Sequence, residues 1–290
     1  NRPLSAHKGT FGRVLALVGS INYVGAAYLA CMGSARSGSG YVTLATTPSF
    51  QALTATKLTE PTYLLVPEGP DGNPIANGAS TIRDNLPSYN VLLAGCGLGQ
   101  HDGTNALLEQ ILLSATPLGV PVVLDADALN TLAQIPDWWS RLQTPTVVTP
   151  HPGEMSRLLG KTIADVEGDR VGTAHLAAKL WGVTVLLKGA YTVVASPKGD
   201  VRIIPFANPG LATAGTGDVL AGIIAGLVAQ HMSPYDAATL GAFIHGATGE
   251  MITNNIGNTG IIASDLLPML PTTVRAIRED TFTGGIQEIS

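Results

Sequence analysis

Apolar and polar positions along this chain alternate between two kinds of stretch. Residues 13–19, 41–45, 62–66, 91–94, 121–124, 146–149 and 183–187 are short apolar runs, several of them closed by glycine, proline or aspartate. Runs of that length with little polar alternation predict strands buried on both faces. Residues 26–37, 104–113, 163–181, 219–229, 234–253 and 262–270 carry small or apolar residues at helical spacing, the last with Ser264 or Asp265 near its start, and these predict helices. Residues 191–195 and 201–204 flank Pro197-Lys-Gly-Asp200 and predict a hairpin. Residues 67–78 are rich in proline, glycine and asparagine and predict a turn-rich surface loop, the most mobile part of the chain.

Strands alternating with helices predict an α/β fold. Its central sheet is mostly parallel, with helices on both faces and right-handed crossovers. No repeat, low-complexity tract or linker divides residues 1–290, so a single domain is expected, with a polar tail over 280–290 that frays.

Composition narrows the class. Of 290 residues 45% are hydrophobic and 13% charged, with 34 glycines and 19 prolines; that suits a large buried core with many tight turns and argues against disorder. A formal net charge of −5 offers no footprint for nucleic acid or an anionic membrane. No apolar run reaches spanning length, and no signal-peptide core opens the chain. Cys31 and Cys96 both stand in apolar surroundings and read as small core residues, so a reducing cytoplasm is the expected location.

The strongest local signal is Asn208-Pro-Gly-Leu-Ala-Thr-Ala-Gly-Thr-Gly-Asp218, followed by the uncharged apolar run 219–229. A glycine-rich loop feeding a helix N-terminus gathers free N–H groups and the positive dipole end at one spot, which is a site for phosphate. Asp218 leaves two readings open. A carboxylate suits a helix start as a cap; beside a phosphate it is repulsive unless it takes a proton from the attacking group.

Other polar signals also follow strands, where ligands sit in such sheets. Gly95-Cys-Gly-Leu-Gly99 is a partial dinucleotide fingerprint, with Gln100 where a small residue is required. Gly160-Lys-Thr162 ends like a Walker A loop, but Met155 stands in place of its first glycine, which rules that reading out. Asp125 and Asp127, two apart at a strand end, point to one side and either hold Mg²⁺ through water or cap a helix. His151 lies between two prolines in a rigid loop and, taken alone, favours a structural role. Lys188 ends an apolar strand and calls for a phosphate or carboxylate partner. No metal-ligand spacing appears among the histidines, and Trp138, Trp139 and Trp181 read as packing residues. A glycine-rich anion site with a following aspartate suggests phosphoryl transfer to a hydroxyl, the helix N-terminus stabilising the transferred group.

These stretches resemble a known family. Ala214-Gly-Thr-Gly-Asp218 looks like the anion-hole signature of the ribokinase-like superfamily. His7-Lys-Gly-Thr-Phe-Gly12, Gly25-Ala-Ala27, Gly95-Cys-Gly-Leu-Gly99, Leu124-Asp-Ala-Asp-Ala-Leu-Asn130, Thr149-Pro-His-Pro-Gly-Glu154, Leu187-Lys-Gly-Ala-Tyr-Thr192, Asn208-Pro-Gly210 and Gly260-Ile-Ile-Ala-Ser-Asp265 are similar, in set and order, to ADP- or ATP-dependent NAD(P)H-hydrate dehydratases. The resemblance covers residues 7–271 and implies a ribokinase-like three-layer sandwich. It also implies a repair reaction, in which a hydroxyl on the nicotinamide ring of hydrated NADH or NADPH is phosphorylated and then lost as phosphate.

By the same resemblance Asp218 is the base and Ala214, Gly215, Thr216 and Gly217 form the anion hole. Ala27, Gly97, Asn130, His151 and Asp218 contact the hydrated dinucleotide. Lys188, Gly189, Ala190, Tyr191, Thr192 and Gly217 contact the nucleotide. ADP is favoured as donor over ATP because the Pro-His-Pro-Gly-Glu form looks bacterial; Mg²⁺ accompanies the nucleotide, with no protein ligand for it identified. Cys96 departs from the proline, and Ala214 from the glycine, of many members. The resemblance further implies a homo-oligomer, commonly a tetramer, and in many bacteria a fused epimerase domain, with which a start just before His7 is compatible. Two other readings stand beside it: a small-molecule kinase of vitamin-precursor type, and a non-catalytic nucleotide sensor.

Overall fold

The computed structural model describes residues 3–282. Seven strands, β1 (Arg13–Leu17), β2 (Tyr41–Thr46), β3 (Thr62–Leu65), β4 (Val91–Ala94), β5 (Val122–Leu124), β6 (Thr146–Val148) and β7 (Thr184–Leu187), run parallel. At one end β8 (Val193–Ala195) and β9 (Val201–Ile203) turn back antiparallel. Together they make one nine-stranded sheet in the order β3-β2-β1-β4-β5-β6-β7-β8-β9. The chain builds outward from β1 to β3, then returns to lay β4 on the other side of β1. That reversal opens a crevice at the carboxyl ends of β1 and β4, where doubly wound sheets take their ligands.

Alternation along each strand sends side chains into two separate cores. Val14, Ala16, Val91 and Leu93 face one; Leu15, Leu17, Leu92 and Ala94 face the other. The first core is closed by α1 (Val24–Arg36), α2 (Pro48–Thr54), α9 (Thr216–Ala229), α10 (Pro234–Ile256) and α11 (Ala263–Arg278). The second is closed by α3 (Gly78–Asn85), α4 (Asp102–Leu112), α5 (Asp127–Leu132), α6 (Pro152–Leu159), α7 (Ile163–Gly168) and α8 (Arg170–Trp181). The result is the expected three-layer α/β sandwich.

In the first core α1 and α9 lie against each other at backbone distance. A Cβ on Gly222 would stand 2.3 Å from the Ala30 carbonyl oxygen. The Ser34 hydroxyl bridges the contact, donating to Ala30 O at 3.1 Å and to Gly222 O at 3.0 Å. Every residue of α9 from Val219 onward is buried, so the helix that starts at the glycine loop is anchored along its whole length.

Several expectations are corrected. The helix expected over 163–181 is two helices. Asp169, at φ −146° and ψ 76°, leaves the helical region and its carboxylate accepts from Gly172 N at 2.8 Å, restarting the chain as α8. Tyr191 is not in a strand; it has φ 53° and β8 begins at Val193. The helix at 262–270 runs on to Arg278 through Pro268 and Pro271, because its buried face continues through Leu270 and Thr273. Of the two residues expected near its start, Asp265 is the one that holds it, accepting from Ile262 N at 2.9 Å. Helices α2, α3 and α6 were not expected, and α5 is the helix that Asp125 and Asp127 were read as capping. Residues 67–78 do form a loop, pinned by a bridge between Glu68 and Pro74 and by Glu68 accepting from Ser49. Trp138, Trp139 and Trp181 pack on one another with centroids 5.3–6.4 Å apart. Of the tail expected to fray, residues 283–290 lie outside the described residues.

Candidate active site

The glycine loop is held in shape by its own side chains. Asn208 accepts from Gly210 N at 2.9 Å and donates to the Thr253 hydroxyl at 2.9 Å. Thr213 donates to Ile261 O at 3.1 Å, and Thr216 to Leu211 O and Thr213 O at 2.8 and 2.9 Å. The Thr216 hydroxyl is therefore spent on the loop. Gly215 is the N-cap of α9 at φ 93°, a left-handed conformation that strains any residue with a Cβ. It has no side chain to cap the helix; Thr216 N donates to Thr213 O at 3.4 Å, and the N–H groups of Gly217 and Asp218 are left for an anion.

Asp218 sits in that first turn. Burial, and after it the charge of Asp125, pushes its carboxyl up to about 7 against the opposing pull of Lys188. A carboxylate near neutrality is poised to take up a proton at working pH. Lys188, at the end of β7, places Nζ 2.7 Å from Asp125 Oδ1 and 3.7 Å from Glu154 Oε2. Burial alone would lower the lysine, but the two carboxylates override it and hold it above its ordinary value. Thr149 also donates to Asp125 Oδ1, at 2.8 Å. A Cβ on Gly217 would be 3.5 Å from Lys188 Nζ and 3.9 Å from Asp125 Oδ2, so the lysine pair abuts the helix start.

Asp125 and Asp127 do not act as a pair. Ala126 takes φ 48°, which breaks the strand alternation, and Asp127 opens α5 while accepting from Gly99 N at 2.8 Å. Asn130 donates to Asp127 Oδ1 at 3.4 Å and accepts from Arg157 Nε at 3.0 Å. His151 is the N-cap of α6 and not merely part of a rigid loop. Its Nδ1 accepts from Gly153 N and Glu154 N at 3.0 and 3.3 Å, and Glu154 accepts from His151 N at 2.8 Å. Burial, then Lys188 and Arg157, keep the ring neutral by lowering its pKa. Nδ1 is thus the acceptor and Nε2–H the donor, 3.4 Å from Glu154 Oε1 on a half-exposed side chain.

At the crevice between β1 and β4, Ser20 donates to Gly97 O at 2.9 Å and Gly19 N to Cys96 O at 2.7 Å. Ala27 is wholly buried in the first core. On the other side of the α9 start a cavity of about 440 Å³ is lined by Lys188, Gly189, Ala190, Thr192, Thr216 and Gly217 among others. Tyr191 is about half exposed and does not line it. Ala214 faces a different cavity, beside Gly25, Tyr28 and Ile262.

The family described as NAD(P)H-hydrate dehydratase matches residues 14–272. The chain belongs to that family. It is 43% identical over 97% of its length to a bifunctional NAD(P)H-hydrate repair enzyme of Moorella thermoacetica, covering 53% of that protein, so it spans about half the length of such relatives. It is 36% identical over 92% of its length to an ADP-dependent (S)-NAD(P)H-hydrate dehydratase of Neisseria meningitidis, covering 86% of it. Among solved structures it is similar to an ADP/ATP-dependent NAD(P)H-hydrate dehydratase of Bacillus subtilis co-crystallised with ATP and Mg²⁺. That match has 32% identity and a TM-score of 0.79, over 95% of this chain and 93% of the other. A ribokinase-like superfamily protein of Enterococcus faecalis matches with the same TM-score at 25% identity, over 95% and 90% of the two chains.

Two groups in the site were not among the expected site residues. His245, on α10, lines the 440 Å³ cavity and donates Nε2–H to Thr216 O at 3.0 Å. Burial pushes its pKa down to about 4, so the ring is neutral. It is a lone histidine in an alanine- and glycine-rich helix, and no spacing rule could single it out. Glu154 is buried against Lys188; its signal was the proline at the first position of α6 with a glutamate two residues later, a helix-start pattern.

Proposed function

We propose that this chain restores hydrated NADH or NADPH, using ADP to phosphorylate the ring hydroxyl and then releasing phosphate. The observation that carries the reading is Asp218: a half-buried carboxyl pushed up to about 7, in the first turn of α9, beside Gly217 and the Lys188 pair. In the first step Asp218 takes the hydroxyl proton as that oxygen attacks the terminal phosphorus of ADP. The new O–P bond forms, the old one breaks, and AMP leaves. Charge on the transferred group is met by the free N–H groups and dipole of α9. In the second step the ring C–O bond breaks, phosphate departs with the electron pair, and loss of a ring proton restores the double bond.

The nucleotide is assigned to the 440 Å³ cavity, where Gly189, Ala190, Thr192, His245 and Gly217 meet it. The hydrated dinucleotide is assigned to the opposite side, the β1–β4 crevice, with Gly97, Asn130 and the half-exposed ring of His151 toward it. Mg²⁺ fits this arrangement as an ion carried by the nucleotide phosphates. It would keep most of its waters, and the nearby carboxylates of Asp125 and Asp218 would be hard oxygen acceptors for them. When bound it supplies charge screening for the phosphates. The reading takes residues 1–290 as one catalytic domain acting in the cytoplasm, as a homo-oligomer, in a protein that can carry a fused epimerase.

The test is to incubate the protein with hydrated NADH, Mg²⁺ and ADP or ATP and follow the return of NADH absorbance. Recovery with ADP that is lost in Asp218→Asn supports the reading. Recovery with ATP alone replaces the donor. A folded protein that recovers nothing with either nucleotide returns the kinase of small alcohols as the better reading.

A further inference from the structure

Cys96 stands beside two carboxylates, Asp125, which pairs with Lys188, and Asp218, the proposed base. It follows β4, Asp125 follows β5 and Asp218 lies in α9, so only the sheet order brings them together. Cys96 and Asp125 are buried, and Cys96 Sγ stands 3.8 Å from Asp125 Oδ2. One donor atom from each of Cys96, Asp125 and Asp218 lies within 4.8 Å of the other two, and no other group of three such donors is found among the described residues.

One pair of this group, Cys96 and Asp125, already has nearly the spacing of a metal bite. Around tetrahedral zinc, with Zn–S about 2.3 Å and Zn–O about 2.0–2.2 Å, neighbouring ligand atoms stand roughly 3.5 Å apart. The Cys96–Asp125 separation is already close to that. Lys188 binds Oδ1 of Asp125 and leaves Oδ2 turned toward the sulfur. The donor set also discriminates: a thiol with two carboxylate oxygens suits a borderline or soft cation and not Mg²⁺, which takes oxygen alone.

We propose that Cys96, Asp125 and Asp218 form a binding site for one thiophilic divalent cation of the zinc class, and that its occupancy stops turnover. On binding, the Cys96 S–H bond breaks heterolytically. The proton passes to solvent, the electron pair becomes the sulfur–metal bond, and nothing changes oxidation state. The Asp218 oxygen that coordinates the ion no longer accepts the hydroxyl proton; this inhibitory half rests on Asp218 being the base. Three protein donors leave a fourth position to water.

Cobalt(II) is the probe for binding, because a thiolate ligand gives it a charge-transfer absorption that oxygen ligands do not. The expected result is one equivalent of Co²⁺ with that band, displaced by Zn²⁺. The band is lost in Cys96→Ser and kept in Cys31→Ala, and Zn²⁺ affinity falls at least tenfold in both Cys96→Ser and Asp218→Asn. In turnover assays at fixed Mg²⁺ and ADP, the Zn²⁺ concentration that halves the rate rises at least tenfold in Cys96→Ser relative to the parent. Absence of the band in the parent, its survival in Cys96→Ser, or unchanged Zn²⁺ affinity in Asp218→Asn overturns the site. Persistent turnover in Asp218→Asn would instead sink the base assignment, and the cobalt band still decides the cation site.

Discussion

Lys188 Nζ stands 2.7 Å from Asp125 Oδ1, and the same oxygen accepts the Thr149 hydroxyl at 2.8 Å. A buried charge pair of this kind is costly to break from one side, because the remaining ion is left without a partner. Lys188→Met should therefore lower stability by about 3–5 kcal/mol at pH 7 in urea unfolding. Adding Asp125→Asn should recover part of that loss. A single-variant loss under about 1 kcal/mol would show that the pair contributes little to holding the site.

Asp218 makes activity and stability depend on pH in opposite directions. The base must be ionised, so kcat/KM should rise with pH and level off above about 7. Its folded pKa is raised above the ordinary value of 3.8, so folding favours the protonated form. That contribution is fully present below the unfolded value and is lost as pH climbs through about 7. Asp218→Asn should accordingly be more stable than the parent above pH 7, by on the order of 2–4 kcal/mol. The two should converge near pH 4 in denaturant titrations. A flat difference across that window contradicts the buried-acid account.

His151 has two separable duties. As N-cap it accepts from Gly153 N and Glu154 N; as a donor it offers Nε2–H. His151→Ala should cost about 0.5–2 kcal/mol of stability and raise KM for the hydrate. Asparagine also caps helices, so His151→Asn should regain most of the stability while KM stays high. If both return together, the histidine is a cap and nothing more.

Gly222→Ala tests the α1–α9 contact. The added methyl would lie 2.3 Å from Ala30 O and 3.0 Å from Ser34 N, and neither backbone atom can give way without parting the helices. Destabilisation of about 1–3 kcal/mol or more is expected, read by thermal and urea unfolding. Nucleotide affinity should fall with it, because α9 carries the anion site on its first turn. A variant as stable as the parent would mean that the two helices slide freely.

The sheet was largely legible because its strands are near-continuous apolar runs ended by breakers, and β4 was placed at its full extent. Helix α6 was not, since it starts on a residue already noticed as chemistry. His151 caps it, and that local duty hid the helix behind the motif, whereas the capping reading of Asp125 and Asp127 did point to α5. The break at Asp169 was invisible to periodicity, because α7 and α8 keep apolar spacing on either side of it. At the site, Asp218 and the loop before it could be read from glycine content and a stray carboxylate. The Lys188–Asp125 partnership could not, since 63 positions separate the two and only the order of β5, β6 and β7 joins them. The same holds for His245, which reaches Thr216 from another helix.

The closeness of α1 to α9 also bears on synthesis. Ser34 and Gly222 are bonded across 188 positions, so the face of α1 that α9 covers emerges from the ribosome long before its cover exists. Between the synthesis of α1 and that of α9 that alanine-rich stripe and the matching face of the sheet stand open to water. They form a sticky intermediate of the kind that recruits chaperones or aggregates. Slowing synthesis before α9 should therefore lower the soluble yield of this chain more than slowing it afterwards.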